Sequence, residues 1–570
     1  MDPPGSDHPS ASRRTSLLGG LGVAAATLAL MIATEPRLAI VMDEGYTLGR
    51  EARVRDWLRA MRDPASFARS WRPVAANEDL VQQGWPSPPP AGILDSRGKL
   101  LSPRAMSRFW PFAREEPHGH PPFYAIVGLA GDVLAPSWAP LPRARLGPMI
   151  AFSLTGGALF TFLARRRGLW AGAAAVGAWA SQPRLFAHGH YAHYDALLAC
   201  LWVGSILAFL KAVEPDERPS ANPRWGWVVV FGLLAGAAAA TKLTGWFLPL
   251  PFVAWALLAR DRRAGRALTV GGIVAVLTTY LLIQPWWGDP LGGVEGFLGS
   301  NLTRGRTTYI PTQFLGQIYL TPQGSLPWYN TLLWTAFVTP VGFLALAIAG
   351  AGWAVRNARA RPIWTLVVVH WAALLILRAL PHTPGHDAER QFLPAFGCLA
   401  ICAGLGAAWI VERLGRWGKA LVAAAIAEGA ASVALMMPVP LSYYSPLVGG
   451  LPGAARLGME PTYYWDALSD AALDRLNRGT APGESVLFPV ITGSLRHLAQ
   501  TGKLRPGLLD VATAEHAGIA PAWYVVQNRP GAFTPQDRAL VARAKPEDVL
   551  VSKWGVPLIW AFPRLEPPRP

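Results

Sequence analysis

Long apolar runs alternate with short polar connections along most of this chain. Runs approaching the roughly 20 residues that a helix needs to cross a hydrocarbon layer of about 30 Å lie near 17–41, 146–164, 168–186, 194–211, 225–241, 246–259, 267–286, 331–355, 363–380, 392–411 and 419–437. The sixth of these is short. A further run, from Pro122 to Pro136, is interrupted by Asp132 and reads as a short span or an interfacial segment. Beyond the last span the pattern changes. Strand-like stretches at 485–488, 522–526 and 549–551 alternate with helix-like ones at 465–476 and 535–544, the pattern of a small α/β unit. The expected fold is therefore an α-helical polytopic membrane protein of about eleven transmembrane helices, twelve or thirteen being the alternatives, with a small C-terminal α/β extracytoplasmic domain. Its expected divisions are a cytoplasmic N-terminus at 1–16, a transmembrane domain at 17–438 and the outer domain at 439–570.

Charge arbitrates the topology, because Lys and Arg in short loops stay on the cytoplasmic side. If 122–136 does not cross, Arg13-Arg14, Arg165-Arg166-Arg167, the connection from Lys211 to Arg224, Arg260 to Arg263, Arg356 to Arg361 and Arg413 to Lys419 all fall inside. A single crossing there would invert most of them. Eleven crossings, N-terminus in and C-terminus out of the inner membrane, are preferred, which leaves loops 42–145 and 287–330 and the tail from about 439 outside. Arg13-Arg14 before an apolar run superficially resembles an export signal, but so many later spans make it the basic start of an uncleaved first helix.

Composition agrees: 51% of residues are hydrophobic, 15% charged, and the mean hydropathy is +0.24, against about 25% charged in soluble proteins. The net charge of +16 sits largely in clusters between apolar runs, so it marks topology and an anionic membrane surface, and nucleic-acid binding is discarded. Cys200, Cys398 and Cys402 lie inside apolar runs and indicate neither disulfides nor a thiolate metal site.

The chemistry is expected in the outer loops. Asp43-Glu44-Gly45-Tyr46 directly follows the first span, so two carboxylates are held at the bilayer edge, where one is suited to act as a general base. The competing reading is a polar helix end. Asp43-Glu44-Gly45-Tyr46 resembles the Asp-Glu motif of the C-type membrane glycosyltransferase superfamily, especially the protein O-mannosyltransferases and the lipid A aminoarabinose transferases. Four further elements match in order: Gly119-His120-Pro121-Pro122-Phe123-Tyr124; the stretch from His188 to Leu198 that includes Asp195; the glycine-rich run from Gly232 closing in Thr241-Lys242; and Arg390-Gln391-Phe392-Leu393-Pro394. Together they cover about residues 40–410.

The resemblance implies Asp43 as catalytic base with Glu44 supporting the same site, a polyprenyl-phosphate-linked sugar donor, one displacement with inversion, and contact of His120 with sugar or phosphate. Where the aminoarabinose transferases carry Glu-Lys-Pro, this chain has Gly119-His120-Pro121, so roles of that Glu or Lys do not transfer. A lipid-tethered phosphate needs cations at the outer boundary to stabilise the leaving group. Lys242, Arg390, Arg304 and Arg306 are the candidates, snorkelling to the interface being the alternative. His118 and His120, and His190 and His193 with Asp195, are expected to line the donor pocket. No cofactor is assigned; a divalent metal held by these histidines is the lesser reading, since none has zinc-hydrolase spacing. His382, His386 and Asp387 are similar lining candidates, and Thr462-Tyr463-Tyr464-Trp465 is expected to border the acceptor, be it lipid, glycan or protein. A transporter or a polyprenol-linked glycan ligase is the rival, and the large outer loop and tail count against a carrier.

Overall fold

The computed structural model describes residues 12–71, 92–110, 120–214, 222–307, 309–509, 514 and 520–563. The apolar runs are helical because a backbone in lipid must satisfy its own N–H and C=O groups. Helix α1 (Arg13–Thr34) is capped by Ser12 and buries only the stripe Ser16, Gly20, Ala24, Thr27 and Met31, leaving its other faces exposed. The connection that follows carries α2 (Glu44–Arg62), α3 (Pro64–Ser70), α4 (Pro103–Phe109), α5 (Phe123–Gly128) and α6 (Ala130–Leu134). The ambiguous 122–136 run is thus two short helices. Then follow α7 (Pro140–Arg167), α8 (Leu169–Ala180), α9 (Pro183–His190), α10 (Tyr194–Val213), α11 (Trp225–Ala239), α12 (Pro249–Ala259) and α13 (Arg262–Leu282). After α14 (Pro290–Thr307) and the hairpin β1 (Thr312–Phe314) and β2 (Gln317–Tyr319) come α15 (Asn330–Val338), α16 (Val341–Arg356), α17 (Thr365–Ala379), α18 (Pro394–Leu414) and α19 (Arg416–Met436).

Among the described residues, seven helical segments have the length and hydropathy of a membrane crossing, and shorter apolar helices accompany them. The chain is an integral membrane protein. α1 and α7 are antiparallel neighbours: Thr161 donates to the Ser16 carbonyl (3.2 Å) and Ser153 lies against the Met31 sulfur (3.6 Å). At the Ser16 end, Arg166 pairs with Glu214 at the end of α10, and Arg167 with Glu412 near the end of α18. The basic clusters therefore gather at one end of the helix layer. Asp43, the start of α10, the end of α11 and the start of α18 lie at the other.

The C-terminal part begins with α20 (Gly450–Arg456) and α21 (Asp470–Arg478) and continues through β3 (Ser485–Leu487), α22 (Gly493–Gln500), β4 (Gly507–Leu509), β5 (Trp523–Gln527), β6 (Val549–Lys553) and β7 (Val556–Pro563). The sheet order is β4-β3-β5-β7-β6, with β3 parallel to β4 and β5, and β7 antiparallel to β5 and β6. Alternation divides β5: Tyr524 and Val526 pack with Trp560 and Phe562, whereas Val525 faces the main core with Ile559 and Ala561.

Candidate active site

The site starts from a knot below Asp43. Arg145 of α7 is fully buried and donates to Glu44 through Nε (2.8 Å) and Nη2 (2.7 Å), to Glu35 (3.0 Å), and to the carbonyls of Leu38 (3.2 Å) and Ala39 (2.8 Å). Glu44 also accepts the backbone N–H groups of Val41 (3.0 Å) and Ala192 (2.8 Å) and has no exposed surface. Its carboxylate thus staples loop 35–44 to α7 and to the segment before α10. Glu44 stands beside Asp43 in the chain but is wholly buried, and its hydrogen bonds fix the turn that carries Asp43.

Asp43 sits at the N-terminus of α2 with its side chain free of any capping bond. The turn is clamped from the C-terminal side: Met42 N–H donates to the Tyr464 carbonyl (2.9 Å). Gly45 lies so close to Gly493, the first residue of α22, that a Cβ would stand 2.0 Å from its carbonyl carbon. Asp43 Oδ2 accepts from Arg390 Nη2 (2.6 Å), the Tyr464 hydroxyl (2.7 Å) and the Tyr194 hydroxyl (2.9 Å). Oδ1 accepts no bond among the described residues, and the side chain keeps 23% exposure. Burial alone would raise the Asp43 pKa; the Arg390 charge and the Tyr464 hydroxyl outweigh it and hold the carboxyl below its ordinary value.

Around this carboxylate the motif residues converge. Arg390, in the one-turn segment Ala388–Phe392 before α18, also donates through Nε to Asp195 (2.6 Å) and through Nη1 to Asp387 (2.7 Å). Lys242 Nζ lies 2.6 Å from the other Asp195 oxygen and 3.3 Å from Gln391. Asp387 in turn faces Arg529 (3.1 Å), whose Nε is 3.5 Å from Glu460. Buried charges are tolerated only when paired, and here Asp43, Arg390, Asp195 and Lys242 form one continuous chain. Arg529 and Arg390 hold the Asp387 carboxyl down to about 2 against the opposing effect of burial.

His120 stacks on Tyr194 with ring centroids 3.6 Å apart. Burial, then the Lys242 charge, pushes its pKa well below the ordinary value, which favours the neutral ring. Arg304 of α14 is close enough to act electrostatically on both His120 and Lys242, whereas Arg306 is exposed. His193 caps α10, accepting the Asp195 N–H at Nδ1 (3.0 Å), and its Nε2 faces His188 Nδ1 (3.2 Å). His188 Nε2 reaches the Tyr463 hydroxyl (3.2 Å), which donates to Glu389 (2.8 Å), itself paired with Arg184 (2.8 Å). Neutral rings satisfy this line, and burial brings His193 to about 4. His190 Nδ1 lies 2.8 Å from the Phe186 carbonyl within α9, and its Nε2 ties α9 to α1 at Thr34 (3.0 Å) and the Met31 carbonyl (3.2 Å). His118 lies outside the described residues. Among the described residues no group of three or more His, Cys, Asp or Glu is placed to hold a metal.

Asp43, His120, Asp195, Lys242 and Arg390 are therefore brought together, with Arg304 beside them. Tyr194 and Tyr464, which lie within motif stretches already named, complete the arrangement together with Arg145 and Arg529, which were not singled out. Tyr194 is the residue before Asp195 and was within reach of motif reading. Tyr464 depends on a left-handed backbone (φ +73°) that its sequence does not announce.

Residues 139–288 match the family described as dolichyl-phosphate-mannose-protein mannosyltransferase. No curated protein sequence matches the chain. Among solved structures, apo ArnT from Cupriavidus metallidurans is 17% identical, with a TM-score of 0.51 over 96% of this chain and 98% of that one. The same protein bound to undecaprenyl phosphate is 16% identical (TM-score 0.48, 95% and 97% covered). The Archaeoglobus fulgidus oligosaccharyltransferase is 12% identical (TM-score 0.48, 90% and 69% covered).

Proposed function

We propose that this chain, which has the fold of the C-type membrane glycosyltransferases, is an inverting glycosyltransferase that moves a sugar from a polyprenyl-phosphate donor to an envelope acceptor on the outer face of the inner membrane. The observation that carries the reading is Asp43: one oxygen is pinned by Arg390, Tyr194 and Tyr464, the other is open, and Lys242 and Arg390 stand alongside. The name of the family matched at 139–288 supports a lipid-phosphate donor. In this mechanism Asp43 Oδ1 takes the proton of the acceptor hydroxyl while its oxygen attacks the anomeric carbon. The bond to the phosphate oxygen breaks on the opposite face, and its electron pair remains on the phosphate. Lys242 and Arg390 stabilise that charge, and Arg304 adds to the field. Their carboxylate partners keep both cations in place before the donor arrives.

The topology belongs to the same proposal: eleven crossings, N-terminus cytoplasmic, with the transmembrane part ending near 438 and residues 439–570 outside. Gathering of the basic clusters at the end opposite Asp43 supports it. The test is reconstitution: purified protein in liposomes, supplied with a polyprenyl-phosphate sugar radiolabelled in the sugar, and envelope extract as acceptor. Label moving from the lipid to an extract component is the expected result. Label crossing the bilayer still attached to its carrier, with no transfer, would make the chain a transporter.

A further inference from the structure

A cavity lies at the far end of the helix layer from Asp43. α18 begins beside Arg390 and its residue 413 lies 19 positions after Pro394, about 30 Å away at 1.5 Å per residue, which is the thickness of the hydrocarbon layer. There α16 and α18 flank a groove of about 780 Å³. The two helices approach closely higher up, where a Cβ on Gly350 would stand 1.9 Å from the Cys402 carbonyl oxygen.

The groove has an apolar and a cationic half. Ala345, Ile348 and Gly352 form its floor on one face of α16, and Ile348 is 66% exposed. Nothing lies within 4 Å of where a Gly352 Cβ would be. At the membrane boundary Arg356 closes α16 and Arg413 stands near the end of α18. Among the described residues neither arginine has an acidic partner. Glu412 also lines the groove, and its carboxylate is paired with Arg167 (2.9 Å). Trp353 and Trp409 wall the groove at the same level, with the Arg413 guanidinium 5.1 Å from the Trp409 ring. An apolar slot opening to lipid, topped by two uncompensated guanidinium groups and two interfacial indoles, matches one kind of occupant.

We propose that this groove holds an anionic phospholipid, its phosphate against Arg356 and Arg413 and one acyl chain along Ala345, Ile348 and Gly352. The claim is independent of the chemistry at Asp43. The experiment is native mass spectrometry of the purified full chain titrated with phosphatidylglycerol or with phosphatidylcholine of the same acyl chains. The wild type is expected to retain phosphatidylglycerol in preference. Each arginine near an anionic headgroup is worth about fivefold, so the Arg356→Gln/Arg413→Gln variant should lose about 30-fold of that preference. Gly352→Phe fills open space and should lower retention of both lipids, whereas Glu412→Gln should raise that of phosphatidylglycerol. Both arginines are exposed, so their replacement leaves the packed core intact. Equal retention of the two lipids by the wild type, or a preference unchanged in the double arginine variant, would overturn the proposal.

Discussion

Replacing Tyr464 with Phe removes one hydroxyl and tests how the structure tunes its base. That hydroxyl donates to Asp43 Oδ2 at 2.7 Å and is buried. A hydrogen bond to a charged acceptor contributes about 1.5–3 kcal/mol, and one pKa unit corresponds to about 1.4 kcal/mol. Arg390 and Tyr194 remain, so the Asp43 carboxyl should rise by about 1–2 units, still ionised at neutral pH. A base works only when deprotonated, so the acid limb of kcat/KM should move toward neutral by that amount. At alkaline pH the variant should be as fast as the wild type or faster, because its base is stronger. The assay is the initial rate of sugar transfer in proteoliposomes across the pH range. Tyr463→Phe is the control, since Tyr463 bonds to Glu389 and not to Asp43. An acid limb that stays put in Tyr464→Phe, or moves equally in Tyr463→Phe, would refute the reasoning.

Two further outcomes follow from the buried charges. Arg145→Met leaves the fully buried Glu44 without its partner, which should cost about 3–5 kcal/mol; thermal unfolding in detergent should show a large drop, partly recovered in Arg145→Met/Glu44→Gln, and an unchanged midpoint would contradict the staple. Glu51 of α2 is buried and its pKa is pushed up to about 8 from an ordinary 4.5. Below the ordinary value both folded and unfolded forms are protonated and nothing is lost. As pH rises from 4.5 to about 8 the unfolded chain ionises first, so the native state loses stability and the full loss is present above 8. Glu51→Gln should therefore match the wild type at pH 4 and exceed it at pH 8, by an upper bound of about 5 kcal/mol; a pH-independent difference between the two melting curves would count against this burial.

The site's ionic chain was legible because Asp195, Lys242 and Arg390 are polar residues at the ends of apolar runs, where charge is expensive and is retained for pairing or function. Which partners they take was not legible, since Asp43 and Arg390 are 347 positions apart. Spacing could have separated Arg304 from Arg306: residues two apart on a helix do not share a face, and Arg304 is among the charges acting on His120 while Arg306 is exposed. Glu44 and His190 carry the same donors and acceptors as catalytic groups, and the segments their hydrogen bonds join, far apart in the chain, were not legible. In the tail, β3, β5 and β6 showed as β-rich runs, whereas β7 escaped notice although it pairs with both β5 and β6. It contains two prolines, Pro557 and Pro563, and is apolar on both faces, so it lacks alternation.

The central claim is that the carboxylate at position 43 takes the acceptor proton as a lipid-borne sugar is displaced from its phosphate. Asp43→Asn keeps the shape and most hydrogen-bonding capacity of the side chain but cannot accept that proton. Sugar transfer and donor binding should be measured on the same purified, equally stable preparation. The account expects transfer to fall by about a hundred- to ten-thousand-fold with donor binding retained; transfer at near wild-type rate would contradict it.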